Sequence, residues 1–148
     1  MAGPRVRAAT YVLRGQGAAR EVLVFDHVHH PEAGTQVPGG GVDPGETLDA
    51  AARREVLEET GLVLAGPLTA VGVVQSTADI GPGSITVFFA SETDEPRASW
   101  EHRVTGGTGG TPEPGADTGL LFRCYFVPLS LAAGAGDNHH FSRVHLLG

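Results

Sequence analysis

The sequence has little of what marks a secreted or membrane protein. It contains a single cysteine, Cys124, which has no partner for an internal disulfide. Its longest apolar stretches, such as Val71–Val74 and Leu120–Phe122, are far shorter than the roughly 18 residues of a membrane helix. The first ten residues, MAGPRVRAAT, lack the apolar core of a signal peptide. We therefore expect a soluble, cytoplasmic domain that does not bind membranes.

Positive charge is also scarce. Ten arginines and no lysine stand against 17 carboxylates, which gives a formal net charge of −7. Proteins that bind nucleic acid usually carry a basic patch, and none is visible along this chain. The composition thus argues against a nucleic-acid partner. An acidic protein that handles small phosphate compounds would need metal ions to overcome the charge repulsion.

The chain has the length of one domain and shows no internal repeat and no long linker. Its 148 residues are 41% hydrophobic, which suits a single core, so we expect one domain over residues 1–148. Residues 27–35 read as a loop, and residues 36–42 (QVPGGGV) are too rich in Pro and Gly for a regular element. Residues 106–119 are the most flexible-looking segment, and residues 138–147 form a candidate short helix. The strand candidates are Arg5–Arg14, Glu21–Asp26, Leu68–Ser76, Ile85–Ser91, Trp100–Thr105 and Leu120–Leu129.

One segment, Thr47–Thr60 (TLDAAARREVLEET), predicts a strong helix. It is rich in Ala, Leu, Arg and Glu, and Gly61 follows it as a C-terminal stop. Its apolar residues share one face at helical spacing, which leaves the other face for charge: Leu48, Ala51, Ala52 and Val56. Many strands around one or two helices predict a mixed sheet with helical cover.

The helix lies inside a spaced motif that runs from Gly40 to Leu62, GGVDPGETLDAAARREVLEETGL. Gly40 is followed after five residues by Glu46, and after seven more by the pair Arg54 and Glu55. An aliphatic residue, two glutamates, a glycine and a second aliphatic residue complete the pattern. It resembles the Nudix box, G-x5-E-x7-R-E-U-x-E-E-x-G-U with U aliphatic, and every specified position matches.

Three glutamates of this motif crowd together on physical grounds alone. Glu55, Glu58 and Glu59 occupy positions i, i+3 and i+4, so they lie on one face of the helix. Like charges at this spacing are destabilising and call for a cation, and carboxylate oxygens suit Mg²⁺ or Mn²⁺. The preceding glycine-rich loop lets backbone approach a metal or phosphate closely. The plainer interpretation, a solvated face balanced by Arg53 and Arg54, does not account for the full spacing.

The resemblance implies an α/β/α sandwich with a mixed β-sheet and the box as loop–helix–loop. It implies a Mg²⁺-dependent pyrophosphohydrolase that acts on a nucleoside diphosphate linked to a moiety X. Glu55, Glu58 and Glu59 would be metal ligands together with a backbone carbonyl of Gly39 or Gly40. Arg54 would orient a catalytic glutamate, Glu46 would hold the loop–helix junction, and Gly40 and Gly61 would be structural. The catalytic base would be Glu55, Glu59 or a carboxylate outside the box: Glu92, Glu101 or Glu113.

Other residues carry weaker signals. His27, His29 and His30 form a cluster before the box, and we consider zinc, solvent exposure or contact with the substrate. Of these, His29 and His30 are candidate substrate contacts. Trp100 and Glu101 are further candidates, although packing in the core or at a sheet edge is the simpler role for Trp100. Cys124 alternates within an apolar strand and reads as a buried residue.

Two other functions remain open at this stage. A non-catalytic, nucleotide-sensing module of the same fold would usually have a degraded box, whereas this box is intact. An isoprenoid diphosphate isomerase of related fold would need a reactive cysteine, and Cys124 lies in an apolar strand. The sequence does not name X or the nucleobase. It leaves a monomer and a homodimer equally open.

Overall fold

The computed structural model describes residues 3–77, 83–105 and 119–130, which contain seven strands and one α-helix. The helix, α1, spans Leu48–Thr60. Short 3₁₀ turns lie at Gly17–Ala19 and Pro31–Ala33. The strands are β1 (Arg5–Arg14), β2 (Glu21–His27), β3 (Gly39–Gly41), β4 (Thr69–Ser76), β5 (Ser84–Glu92), β6 (Ser99–Arg103) and β7 (Leu121–Pro128).

The strands form one mixed sheet, as the sequence predicted. Six of them follow the order β4-β5-β1-β2-β7-β6, and β3 pairs with β1 beside this path. β1 and β5 run parallel over nine residue pairs, from Arg5 opposite Ser84 to Leu13 opposite Glu92. The other pairings are antiparallel. All six predicted strands are therefore confirmed, with no end shifted by more than two residues.

The prediction of no regular element in residues 36–42 was wrong, because Gly39–Gly41 forms β3. β1 and β2 pair only at Leu13–Val22 and Arg14–Glu21, so they diverge beyond that point. The glycine-rich segment fills the opening: Gly40 lies opposite Ala8 of β1, and Gln36 bridges Phe25 of β2. A Cβ on Gly39 would lie 2.8 Å from the Cβ of Ala9, so only glycine allows this approach.

Helix α1 covers one face of the sheet. Its buried Ala51, Ala52 and Val56 pack in two clusters against β1, β5 and β7. The prediction that Leu48 belongs to the buried face was wrong, because it is 38% exposed at the first position of the helix. The helix thus uses two short alanines and one valine to approach β1 closely, which brings its polar residues near the glycine-rich loop.

The opposite face of the sheet carries a third apolar cluster, with Tyr11 stacked on Phe88 at a ring distance of 5.4 Å. The predicted tail helix at residues 138–147 and most of the segment 106–119 lie outside the described residues. Among the described helices, none has both the length and the apolar character needed to cross a membrane.

Candidate active site

The start of α1 is fixed by hydrogen bonds from two residues of the motif. Thr47 is the N-cap, and its side chain accepts from the Ala50 amide at 3.1 Å. The carboxylate of Glu46 accepts from the Asp43 amide at 3.0 Å and closes the turn before the helix. Glu46 thus lies at the loop–helix junction and bonds to the backbone there. It fixes the direction in which the helix leaves the glycine-rich loop.

Arg54 joins the loop, the junction and the helix. It donates from Nε and Nη2 to the two carboxylate oxygens of Glu46, at 2.7 and 2.9 Å. Its Nη2 also donates to the Gly41 carbonyl at 2.9 Å. Its Nη1 donates to Glu55 at 2.9 Å and to Glu58 at 3.0 Å. The planar guanidinium therefore holds two glutamates of the cluster in place through several bonds at once.

Glu55 lies directly against the glycine-rich loop. A Cβ on Gly40 would come within 2.5 Å of the Glu55 carboxylate carbon, so the absent side chain provides the space for this carboxylate. Only 15% of the Glu55 side chain is exposed. Burial raises the pKa of the Glu55 carboxyl above its ordinary value; Arg54 opposes this and the charge of Glu58 reinforces it.

Glu58 and Glu59 are buried, at 8% and 4% exposure. The Gly39 amide donates to Glu59 Oε1 at 2.8 Å. The backbone of Gly39 thus contacts one glutamate of the cluster, whereas Gly40 contacts another. Glu55 and Glu59 therefore each contact a glycine of the loop, whereas Glu58 contacts Arg54.

The donor chemistry of this cluster fits a hard divalent ion. Glu55 and Glu58 converge on one nitrogen of the Arg54 guanidinium, so positive charge already lies beside both carboxylates. Within the described part of the chain, no three acidic, imidazole or thiol groups already surround one point. Ion binding therefore requires a rearrangement of these carboxylates around the ion. The side chains that would hold it are Glu55, Glu58 and Glu59, and the Gly39 carbonyl is the backbone candidate.

The end of α1 contacts strands β6 and β7. Trp100 Nε1 donates to the Thr60 carbonyl at 2.8 Å, and His102 Nε2 donates to the Glu58 carbonyl at 3.0 Å. Cys124 Sγ lies 3.8 Å from the Glu59 carbonyl. Burial raises the pKa of the Cys124 thiol to about 12, and the nearby Glu59 adds to this, so the thiol stays protonated. Gly61 ends the helix with φ +79°, and a Cβ there would meet the His102 ring at 3.0 Å.

The structure places the weaker candidates in several environments. His29 and His30 are exposed in the loop after β2, and His30 Nδ1 lies 3.3 Å from Glu32 Oε1. The Trp100 ring packs against the core and carries Arg97 over it at 4.3 Å. This is the packing role for Trp100. Contact of these side chains with a substrate stays a prediction.

Of the three candidate carboxylates outside the box, the two that the structure describes, Glu92 and Glu101, do not lie at the cluster. Glu92 lies at the end of β5, opposite Leu13 of β1. Leu13 is five residues along β1 from Ala8, the partner of Gly40, so Glu92 lies about 17 Å along the strand from Gly40. It pairs with Arg20 at 3.3 Å. Glu101 alternates with Trp100 and so lies on the sheet face opposite α1, whereas Glu113 lies outside the described residues.

The hydrogen bonds from Trp100 and His102 to the backbone of the last turn of α1 were not predicted from the sequence. His102 was not singled out, and the motif does not include β6. No local pattern could have found these contacts, since they join residues 40 and 44 positions apart. The only sign of these contacts in the sequence was an aromatic residue and a histidine, Trp100 and His102, at alternate positions of a short strand.

Comparison with known proteins gives a consistent answer. A family model described as NUDIX domain matches residues 3–145. A MutT NUDIX hydrolase from Burkholderia pseudomallei is 28% identical, with 65% of this chain and 74% of that one covered and a TM-score of 0.52. No curated protein matches the chain at a significant level.

Two more solved structures share the fold at lower identity. An Ap4A hydrolase from C. elegans is 20% identical, covers 93% of this chain and 90% of its own, and has a TM-score of 0.60. The NUDIX domain of Shewanella oneidensis NrtR, complexed with ADP ribose, is 16% identical, with 90% and 79% covered and a TM-score of 0.59. With the family match over nearly the whole chain and the complete motif, this chain belongs to the Nudix family and is a pyrophosphohydrolase.

Proposed function

We propose that this enzyme hydrolyses a pyrophosphate bond in a nucleoside diphosphate linked to a second moiety X, with Mg²⁺ as cofactor and Mn²⁺ as a possible substitute. The products are a nucleoside monophosphate and X-phosphate. The observation that carries the proposal is the convergence of Glu55 and Glu58 on Arg54, beside Glu59 on the Gly39 amide. Two of these carboxylates, Glu55 and Glu59, contact the glycine-rich loop directly, and Arg54 links Glu58 to Glu55.

The chain's own residues have separate tasks in this proposal. Glu55, Glu58 and Glu59 hold the ion together with the Gly39 carbonyl, and Arg54 keeps the first two glutamates oriented. When bound, a divalent ion neutralises pyrophosphate charge and helps to activate water. Glu55 or Glu59 accepts the proton of the attacking water. Because Gly40 has no side chain, it leaves the space in which the Glu55 carboxylate moves.

Two arginines near the loop supply positive charge for the phosphates. Arg7 lies opposite Gly41 in the β1–β3 pairing, and it is close enough to lower the pKa of Glu55. The guanidinium of Arg5 lies 3.2 Å from where a Gly41 Cβ would be. Within residues 3–77, 83–105 and 119–130, neither arginine forms an ion pair. Both are therefore available to a polyanionic substrate, and Arg7→Gln should raise KM more than it lowers kcat.

The nucleotide character of the substrate is supported by the structural relatives. One similar structure is named an Ap4A hydrolase, and another is a NUDIX domain complexed with ADP ribose. Both names denote nucleotides. The composition of the chain agrees with a small phosphate compound rather than a nucleic acid, because the net charge is −7.

A substrate panel tests the proposal. The full chain is incubated with nucleoside triphosphates, nucleotide sugars, dinucleoside polyphosphates or ADP-ribose, with Mg²⁺ or with excess EDTA, and products are separated by chromatography. We expect a nucleoside monophosphate from at least one class, with Mg²⁺ only. Tight nucleotide binding without turnover of any class would instead support the non-catalytic sensing module. Turnover that persists at full rate in EDTA would contradict the metal-dependent site.

A further inference from the structure

The last turn of α1 combines features that oppose helix formation. Glu58 and Glu59 lie at the C-terminal end of the helix, where the helix dipole disfavours negative charge. No basic residue lies in this turn. Both carboxylates are buried, and the burial of two neighbouring charges adds to the cost in free energy. A turn of this composition would fray unless other parts of the protein held its backbone.

The carbonyl groups of this turn are the ones that a helix leaves without intrahelical partners. In this protein, three successive carbonyls receive side chains from the sheet. His102 donates to Glu58 at 3.0 Å, and Trp100 donates to Thr60 at 2.8 Å. The Cys124 thiol lies 3.8 Å from the Glu59 carbonyl, and the Thr105 amide donates to Glu58 at 3.2 Å. We call Trp100, His102 and Cys124 the C-terminal capping cluster.

Paired strands of the sheet hold the residues of the C-terminal capping cluster in place. Trp100 lies opposite Cys124 in the β6–β7 pairing, and His102 lies opposite Phe122, which is fully buried. β7 in turn pairs with β2 along seven residue pairs. The positions of the three side chains are therefore set by the central sheet. Gly61, with its positive φ, allows the His102 ring to reach the helix end.

From these contacts we infer that Trp100 and His102 are positioning residues for catalysis, which act by fixing the backbone of Glu58 and Glu59 through the carbonyl oxygens of the last turn of α1. In this role both side chains act through the helix backbone. This inference rests on the proposed role of the two glutamates as metal ligands. Loss of either donor would let the last turn move and weaken metal binding, because the ligands would have to be ordered when the ion binds.

The test compares donor-deleting variants with a variant that removes only core packing. Trp100→Phe keeps an aromatic ring but loses the N–H donor. His102→Leu loses the Nε2 donor, and His102→Gln keeps an N–H at a similar distance from the backbone. Val104→Ala is the matched control, because Val104 is buried in the same core cluster and its side chain is purely apolar.

The main readout is the Kd for Mn²⁺ in the absence of substrate, measured by electron paramagnetic resonance. We expect Kd to rise about fivefold to tenfold in Trp100→Phe and in His102→Leu, in line with the loss of one hydrogen bond. His102→Gln should lie within about twofold of wild type. Val104→Ala should lower the melting temperature but leave Kd within about twofold of wild type.

A second readout needs no metal. Hydrogen exchange of the Glu58, Glu59 and Thr60 amides should be faster in Trp100→Phe than in Val104→Ala at the same margin below the melting temperature. If wild type binds Mn²⁺ while both donor-deleting variants keep its Kd and its exchange rates, the capping inference is overturned and the proposed function stands. If wild type binds no Mn²⁺ at all, the proposed metal ligands fail and this inference fails with them.

Discussion

The Glu55 carboxylate occupies the space that a side chain at Gly40 would take: a Cβ on Gly40 would lie 2.5 Å from the carboxylate carbon of Glu55. The neighbouring Gly39 differs, because its Cβ would meet the backbone of β1, 2.9 Å from the Ala8 carbonyl oxygen. Two adjacent glycines of one loop therefore serve different purposes. Gly39 permits strand pairing, and Gly40 permits the position of a glutamate that we propose as a metal ligand.

Gly40→Ala and Gly39→Ala should consequently have different effects. In Gly40→Ala the flexible carboxylate can move away, so we expect the free energy of unfolding to change by less than about 1 kcal/mol while kcat/KM falls at least tenfold. In Gly39→Ala the strand itself must shift, which should cost about 1–3 kcal/mol of stability. Urea unfolding and steady-state kinetics of both variants check this. Equal stability losses in the two variants would contradict the distinction.

Arg54→Lys tests the arginine that joins Glu46, Glu55 and Glu58. Lysine keeps the charge but loses the planar set of donors, so we expect a loss of about 2 kcal/mol in unfolding free energy and at least tenfold in kcat. Arg53→Lys is the matched control on the same helix. Arg53 donates to Asp49 and to two backbone carbonyls, those of Leu64 and Gly66. Its replacement should reduce stability with kcat within about threefold of wild type, and a similar kcat loss in both variants would contradict the assigned role of Arg54.

Tyr11 predicts a loss of stability in alkaline solution. Burial raises the pKa of Tyr11, so its phenol stays neutral in the native state but ionises in the unfolded chain. The stabilisation from the neutral Tyr11 phenol is complete below the ordinary tyrosine pKa of about 10. As the pH rises above that pKa, the free energy of unfolding falls by up to about 1.4 kcal/mol per pH unit. Urea unfolding between pH 8 and 11 should show this decline, and Tyr11→Phe should reduce its slope. An unchanged slope in Tyr11→Phe would rule out Tyr11 as its source.

Most of the fold could be predicted from local patterns. The strand candidates matched the observed strands, and the predicted helix differed from α1 only by including Thr47, with Gly61 marking its end. β3 was missed because Gly39–Gly41 has no side chain from which a pattern could be read. Its pairing depends on the divergence of β1 from β2, which is a property of the whole sheet. Leu48 was misplaced because the first helical position lies beyond the edge of the covered core.

The candidate site was predictable to a similar degree. The spacing of the motif identified Arg54 and the three glutamates, because helical geometry places them together whatever the rest of the fold does. It did not show that Glu58 and Glu59 are buried. That burial depends on β6 and β7, whose residues meet α1 only after the sheet has formed. The hydrogen bonds of Trp100 and His102 to the helix end were hidden for the same reason.

The central claim is that the glutamates of α1 carry out metal-dependent hydrolysis, and the most direct test is kcat of Glu58→Gln and Glu59→Gln at saturating Mg²⁺. Glutamine keeps the size of the side chain and removes its charge, and circular dichroism would establish that each variant is folded. Glu21→Gln is the control, since Glu21 pairs with Arg14 at the far end of β1. We expect turnover to fall at least about a hundredfold in each α1 variant and to remain unchanged in the control. Near-normal turnover of both folded α1 variants would contradict the account.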